Sequence, residues 1–137
     1  MKRTFDFFKM VLLTTVVAVS ISACNSSTGV SADDVVGTYV GTLQNPTMGM
    51  VEDYRITVTK NSDTEVTIAP ASGGDSATFN ATLEAGSVAN TLILKVATDI
   101  LANNGSYSKL TEGLSYTLHL GGDDEHNVEV FVGKKVH

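Results

Sequence analysis

Residues 33–137 predict an all-β fold, an antiparallel up-and-down barrel of about eight strands or, as the alternative, a β-sandwich. Apolar and polar residues alternate with period two in run after run, which gives each segment one face for a core and one for water. Clusters of Gly, Asn, Asp and Ser part these runs at roughly 8–12-residue spacing. Helical spacing is nowhere sustained beyond Cys24.

In chain order, Lys2, Arg3 and Lys9 make a positive start, and residues 10–23 then carry no charge. This is the layout of a secretory signal. The uncharged run has 14 residues, whereas a helix crossing the hydrocarbon core needs about 20. An uncut membrane helix is the competing reading, and it leaves the position of the thiol unexplained. Ile21-Ser22-Ala23-Cys24 closes the run with two small side chains and the sole cysteine of the chain. The four residues resemble the lipobox of bacterial lipoproteins, with Ile21 where Leu is more usual. The resemblance implies cleavage after residue 23 and lipidation of Cys24 through a thioether. The membrane is then a partner through fatty acyl chains, each buried CH₂ contributing about 0.8 kcal/mol. With that sulfur consumed, no disulfide can form within the chain.

Residues 24–32 are mostly small and polar and read as a flexible tether. Asn25 and Ser26 stand where an inner-membrane lipoprotein of the proteobacterial kind carries Asp, which favours the outer membrane, facing the periplasm or the cell surface. Beyond residue 23, 14 acids face 6 bases, a net charge of −8. Nucleic acid, with its repelling phosphates, is excluded as a partner by that balance, and so is polybasic adhesion to anionic lipid.

The first strand spans 35–44 and ends at Asn45-Pro46-Thr47-Met48-Gly49. The next covers 51–60, with Tyr54, Ile56 and Val58 on its apolar face, and Asn61-Ser62-Asp63 turns it into Val66-Thr67-Ile68. Ser72-Gly73-Gly74-Asp75 leads to a clean alternation over 77–84, where Phe79, Ala81 and Leu83 share a face. Residues 92–96 read as a strand covered on both sides. Residues 99–110 suggest a short helical turn and an irregular strand, with Asn103-Asn104-Gly105 as a turn. Leu114, Tyr116, Leu118 and Leu120 alternate with Ser115, Thr117 and His119, and Gly121-Gly122-Asp123-Asp124 makes the last turn. In the final strand Val128, Val130 and Val132 read as the inward face, leaving Phe131 outside as the aromatic that a partner protein would meet.

Three pieces, Val36-Gly37-Thr38-Tyr39-Val40-Gly41-Thr42-Leu43, Tyr54-Arg55-Ile56-Thr57-Val58-Thr59-Lys60 and Val130-Phe131-Val132-Gly133-Lys134-Lys135, together resemble the calycin-like β-barrel lipoproteins of gut Bacteroidetes. Calycins open on Gly-x-Trp, whose ring closes one barrel end beneath a basic residue from the last strand. Gly37-Thr38-Tyr39 is the corresponding piece, with Lys134 or Lys135 as the cation. The resemblance implies a small apolar or amphipathic ligand in the barrel. The alternative is a barrel filled by its own side chains, whose outer face contacts another envelope protein or a glycan.

No catalytic motif is present, so neither an enzyme nor a cofactor is expected. Asp123-Asp124-Glu125-His126 gathers oxygen and nitrogen donors but lacks the ligand alternation of a calcium loop, so it reads as solvated and not as a metal site. Asp75-Ser76-Ala77 resembles the sequon at which Bacteroidetes attach O-glycans, and its place where a loop enters a strand implies that Ser76 is exposed.

Overall fold

The computed structural model describes residues 29–96, 104–121 and 126–137. Eight antiparallel strands follow one another around a closed barrel: β1 (Gly37–Asn45), β2 (Gly49–Ser62), β3 (Glu65–Pro70), β4 (Phe79–Ala85), β5 (Thr91–Val96), β6 (Asn104–Ser108), β7 (Gly113–His119) and β8 (Val128–Val136). β8 returns to pair with β1 over Thr38↔Val136 to Gln44↔Val130. Closure leaves no sheet edge with unpaired backbone groups, and it decides between the barrel and the sandwich.

Period two puts the expected faces inside on most strands. Ile56 and Val58, Val66 and Ile68, Ala81 and Leu83, Leu92 and Leu94, and Leu114, Tyr116 and Leu118 are all buried. Tyr54 and Phe79 are partly buried against them. β5 is covered on one side only, since Lys95 is exposed and Ile93 half-exposed. Leu120 lies just past the end of β7 and is 40% exposed.

Three expectations are corrected. On β8 the faces are inverted: Glu129 and Phe131 are fully buried, while Val132 is 60% exposed and Val130 half-buried. A charged residue on the inner face hid the true alternation, because hydropathy alone assigns Glu129 to water. Asn104-Gly105 is strand and not turn, since β6 pairs on both sides, Gly105 with Leu94 of β5 and with Tyr116 of β7. The chain before β1 is not all tether. Val30 packs on the core, and α1 (Ala32–Val35) is a single helical turn that buries Ala32 and Val35. Ser31 caps it by accepting from the Asp33 N–H at 3.3 Å, and Ala32 N–H donates to the Asp63 carbonyl at 2.8 Å. β1 accordingly begins at Gly37.

These elements give the barrel two distinct ends. α1, the turns after β2, β4 and β6 and the C-terminus of β8 lie at one, called here the α1 end. The turn after β1, the approach to β4 and the start of β8 lie at the other.

Candidate functional site

At the α1 end the inward side chains are Tyr39, Tyr107 and Lys135. The two rings meet edge to face at 6.2 Å between centroids. Lys135 Nζ sits 5.9 Å from the Tyr39 centroid and 5.7 Å from that of Tyr107, within cation–π range. It also donates to the Asp34 carbonyl at 2.8 Å, and the Tyr39 hydroxyl donates to the Val35 carbonyl. Helix α1 is thus held down by the two strands that close the barrel. Gly37 makes this packing possible, since a Cβ there would lie 3.2 Å from Lys135 Cε, and its φ of +148° is one that L side chains rarely adopt. Burial raises the pKa of the Tyr39 phenol far above its usual value, with neighbouring Tyr107 adding to the shift. Tyr107 is raised too, first by burial and then by the nearby Glu112 charge.

Toward the opposite end the interior holds a carboxylate. Glu129 is 0% exposed. Its Oε2 accepts from Asn45 Nδ2 at 2.7 Å and from the Ala77 N–H at 3.1 Å, and its Oε1 accepts from the Tyr116 hydroxyl at 3.0 Å. Asn45 in turn accepts on Oδ1 from the N–H groups of Thr47 and Met48, which shapes the β1–β2 turn. Tyr116 stacks on Phe131 at 5.6 Å and meets Phe79 edge to face at 4.9 Å. Its phenol is also raised far above the usual value, by burial first and then by the Glu129 charge. A buried carboxylate needs such partners, and these three come from β1, the approach to β4 and β7. Fully buried, Glu129 ties three separate parts of the chain together through these bonds.

Ser76 sits beside this cluster, its N–H donating to the Tyr54 hydroxyl at 3.2 Å. The expected exposure is corrected: Ser76 is 8% exposed, and its Oγ is buried without a partner among the described residues. Lys134 projects outward, opposite Val40 in the β1–β8 ladder, so Lys135 alone of the two lysines reaches Tyr39. Cys24 and Asp123-Asp124-Glu125 lie outside the described residues. Among the described residues no three His, Cys, Asp or Glu side chains converge as a metal site would require.

Two clefts lie on the outside of the barrel wall. One, of about 440 Å³, crosses β5 to β8 and is lined by Ile93, Asn104, Ser106, Ser115, Thr117, Val130 and Val132. A second, of about 570 Å³, shares Ser115 and Val132 and continues over Val40 and Thr42 to Thr111 and Lys134. Small uncharged side chains make this wall concave, and Ser106 and Ser115 hydrogen-bond across it at 3.2 Å.

Sequence reasoning missed Glu129, Asn45 and Tyr107. The available signal was an acid flanked by valines in a strand, a position where solvent exposure gives no reason for Val128 and Val130 on either side. Compared with models of protein families, with curated proteins and with solved structures, the chain matches none.

Proposed function

We propose that the chain is an envelope lipoprotein, anchored through Cys24 and calycin-like in architecture, whose barrel is a filled scaffold that meets another envelope protein with its outer wall. The burial of large inward side chains supports this reading. Tyr39, Leu43, Ile56, Ile68, Leu94, Tyr116 and Phe131 are all buried to within 2% of complete, and an eight-stranded barrel is only just wide enough to be filled by its side chains or to hold one small ligand. The wall spanning β5 to β8 and β1 carries few charges, Lys95 at one margin and Lys134 at the other, in a chain that is otherwise strongly acidic. Such depletion of charge suits a protein contact. Tyr39, Tyr107, Tyr116 and Phe131 are buried, Tyr116 beneath the first cleft, so among the described residues this wall exposes no aromatic platform on which a sugar stacks, and a protein is the better fit than a glycan.

The test is mass spectrometry of native protein extracted from membranes, with a photo-crosslinking residue at position 132. The reading expects an acylated N-terminal Cys24, no retained small molecule, and adducts that form at 132 but not at Thr59 on another wall. A stoichiometric small molecule without adducts would instead support an internal ligand. Cys24→Ala is expected to leave the membrane fraction, and retention of that variant after a salt wash would remove the anchor from the account.

A further inference from the structure

We propose that the α1 end of the barrel lies against the lipid bilayer and places Val88 and Leu110 in its interfacial region. The inference rests on the proposed anchoring of Cys24. Gly29 is the first described residue, five positions after Cys24, and five residues of extended chain reach at most about 18 Å. Gly29 is itself fixed to the α1 end. Its carbonyl accepts from Lys109 Nζ at 2.8 Å, and it lines a depression of about 280 Å³ with Val88, Asn90 and Lys109. The anchor therefore leaves the barrel beside the β4–β5 and β6–β7 turns, which Lys109 N–H joins by donating to the Asn90 carbonyl at 2.8 Å.

At the tips of those two turns stand aliphatic side chains that the protein leaves uncovered, Val88 at 66% and Leu110 at 77% exposure. Exposed apolar groups on adjacent loop tips, next to a lipid tether, match what an interfacial contact buries. The charges at this end agree. An acidic surface would be pushed from anionic headgroups, and three acids at this end have a lysine partner that offsets them in part: Lys60 meets Asp33 at 3.1 Å and Asp63 at 2.9 Å, and Lys109 meets Asp34 at 2.8 Å. The bilayer is thus offered aliphatic tips beside partly compensated carboxylates.

The full, acylated chain is made with a single added cysteine, Val88→Cys, Leu110→Cys or Met50→Cys, and labelled with an environment-sensitive fluorophore. Cys24 takes no label because its sulfur is in the thioether, and Met50, 69% exposed at the opposite end, is the control. Circular dichroism confirms that each labelled protein is folded. In vesicles of phosphatidylethanolamine and phosphatidylglycerol containing brominated acyl chains, labels at 88 and 110 are expected to shift to the blue and lose emission, while the label at 50 does neither. If the protein floats with the vesicles and all three labels emit alike, the docking surface is wrong and the anchor stands. If Cys24 itself takes the dye and the protein does not float, the anchor fails and the surface fails with it.

Discussion

Glu129 decides more than any other single residue, because its carboxylate gathers donors from three separate parts of the chain. Valine is the replacement that its flanking residues invite. It would recover about 1.5 kcal/mol by burial but orphan Asn45 Nδ2, the Ala77 N–H and the Tyr116 hydroxyl together. Each buried donor left unpaired costs about 1–3 kcal/mol, so after the gain from valine burial Glu129→Val is expected to lower unfolding stability by about 1.5 kcal/mol or more. Tyr116→Phe removes one of the bonds and should cost about 1.5–3 kcal/mol. Urea unfolding midpoints measure both, and a Glu129→Val protein as stable as the parent would show that the cluster holds nothing together.

Among the elements, the seam between β1 and β8 is where the sheet becomes a barrel. Gly41 and Gly133 face each other there, and a Cβ on Gly41 would lie 2.1 Å from the Val132 carbonyl oxygen and 2.3 Å from Gly133 Cα. Gly41→Val must force the strands apart, a strain of about 3 kcal/mol or more. Hydrogen exchange should then show β1 and β8 amides losing protection ahead of those of β3 and β4. Equal protection across all four strands would mean that the seam absorbs the change. β2, β4 and β7 were legible because each has one face that is plainly more apolar, as Phe79, Ala81 and Leu83 show against Asn80, Thr82 and Glu84, whereas β6, with Asn104 and Gly105 at its start, read in part as a turn. β8 was legible as a strand but not by face, since Val130 and Val132 compete with Phe131 and the deciding residue is an acid. α1 was missed because four residues are too few to show a helical period, and what holds them helical is Tyr39, Lys135 and Asp63.

For the whole molecule, the buried phenols set an alkaline limit. Tyr39 and Tyr116 keep their protons in the fold well above the usual tyrosine value, and Tyr107 above it, because burial disfavours the phenolate. In the unfolded chain they ionise at about pH 10. Their contribution is therefore complete below that pH and falls as pH rises above it, where the unfolded state binds fewer protons than the folded one. Tyrosinate absorbance and loss of the β-sheet dichroism are expected to rise together in one cooperative step. Ionisation of these tyrosines near pH 10 with the dichroism intact would contradict their burial. On the acid side, Asp63 is held below its usual range by hydrogen bonding to Lys60, and Glu112 by hydrogen bonding to His137. The small stability they give is present above the ordinary carboxylate range, lost as pH falls through their lowered values, and weakened by salt because both sites are exposed.

By itself the sequence determined most of the strands, turns and inward faces, because these follow from alternation and turn chemistry within a few neighbouring residues. It also marked Gly37 and Tyr39 as an end of the barrel. Only the tertiary structure decided that Lys135 covers Tyr39 and that Glu129 and Phe131 turn inward. Those outcomes depend on partners far apart in the chain, Asn45 and Glu129 being 84 residues apart. A buried charge is stable only where its donors have been brought to it, and no local pattern records where they will come from.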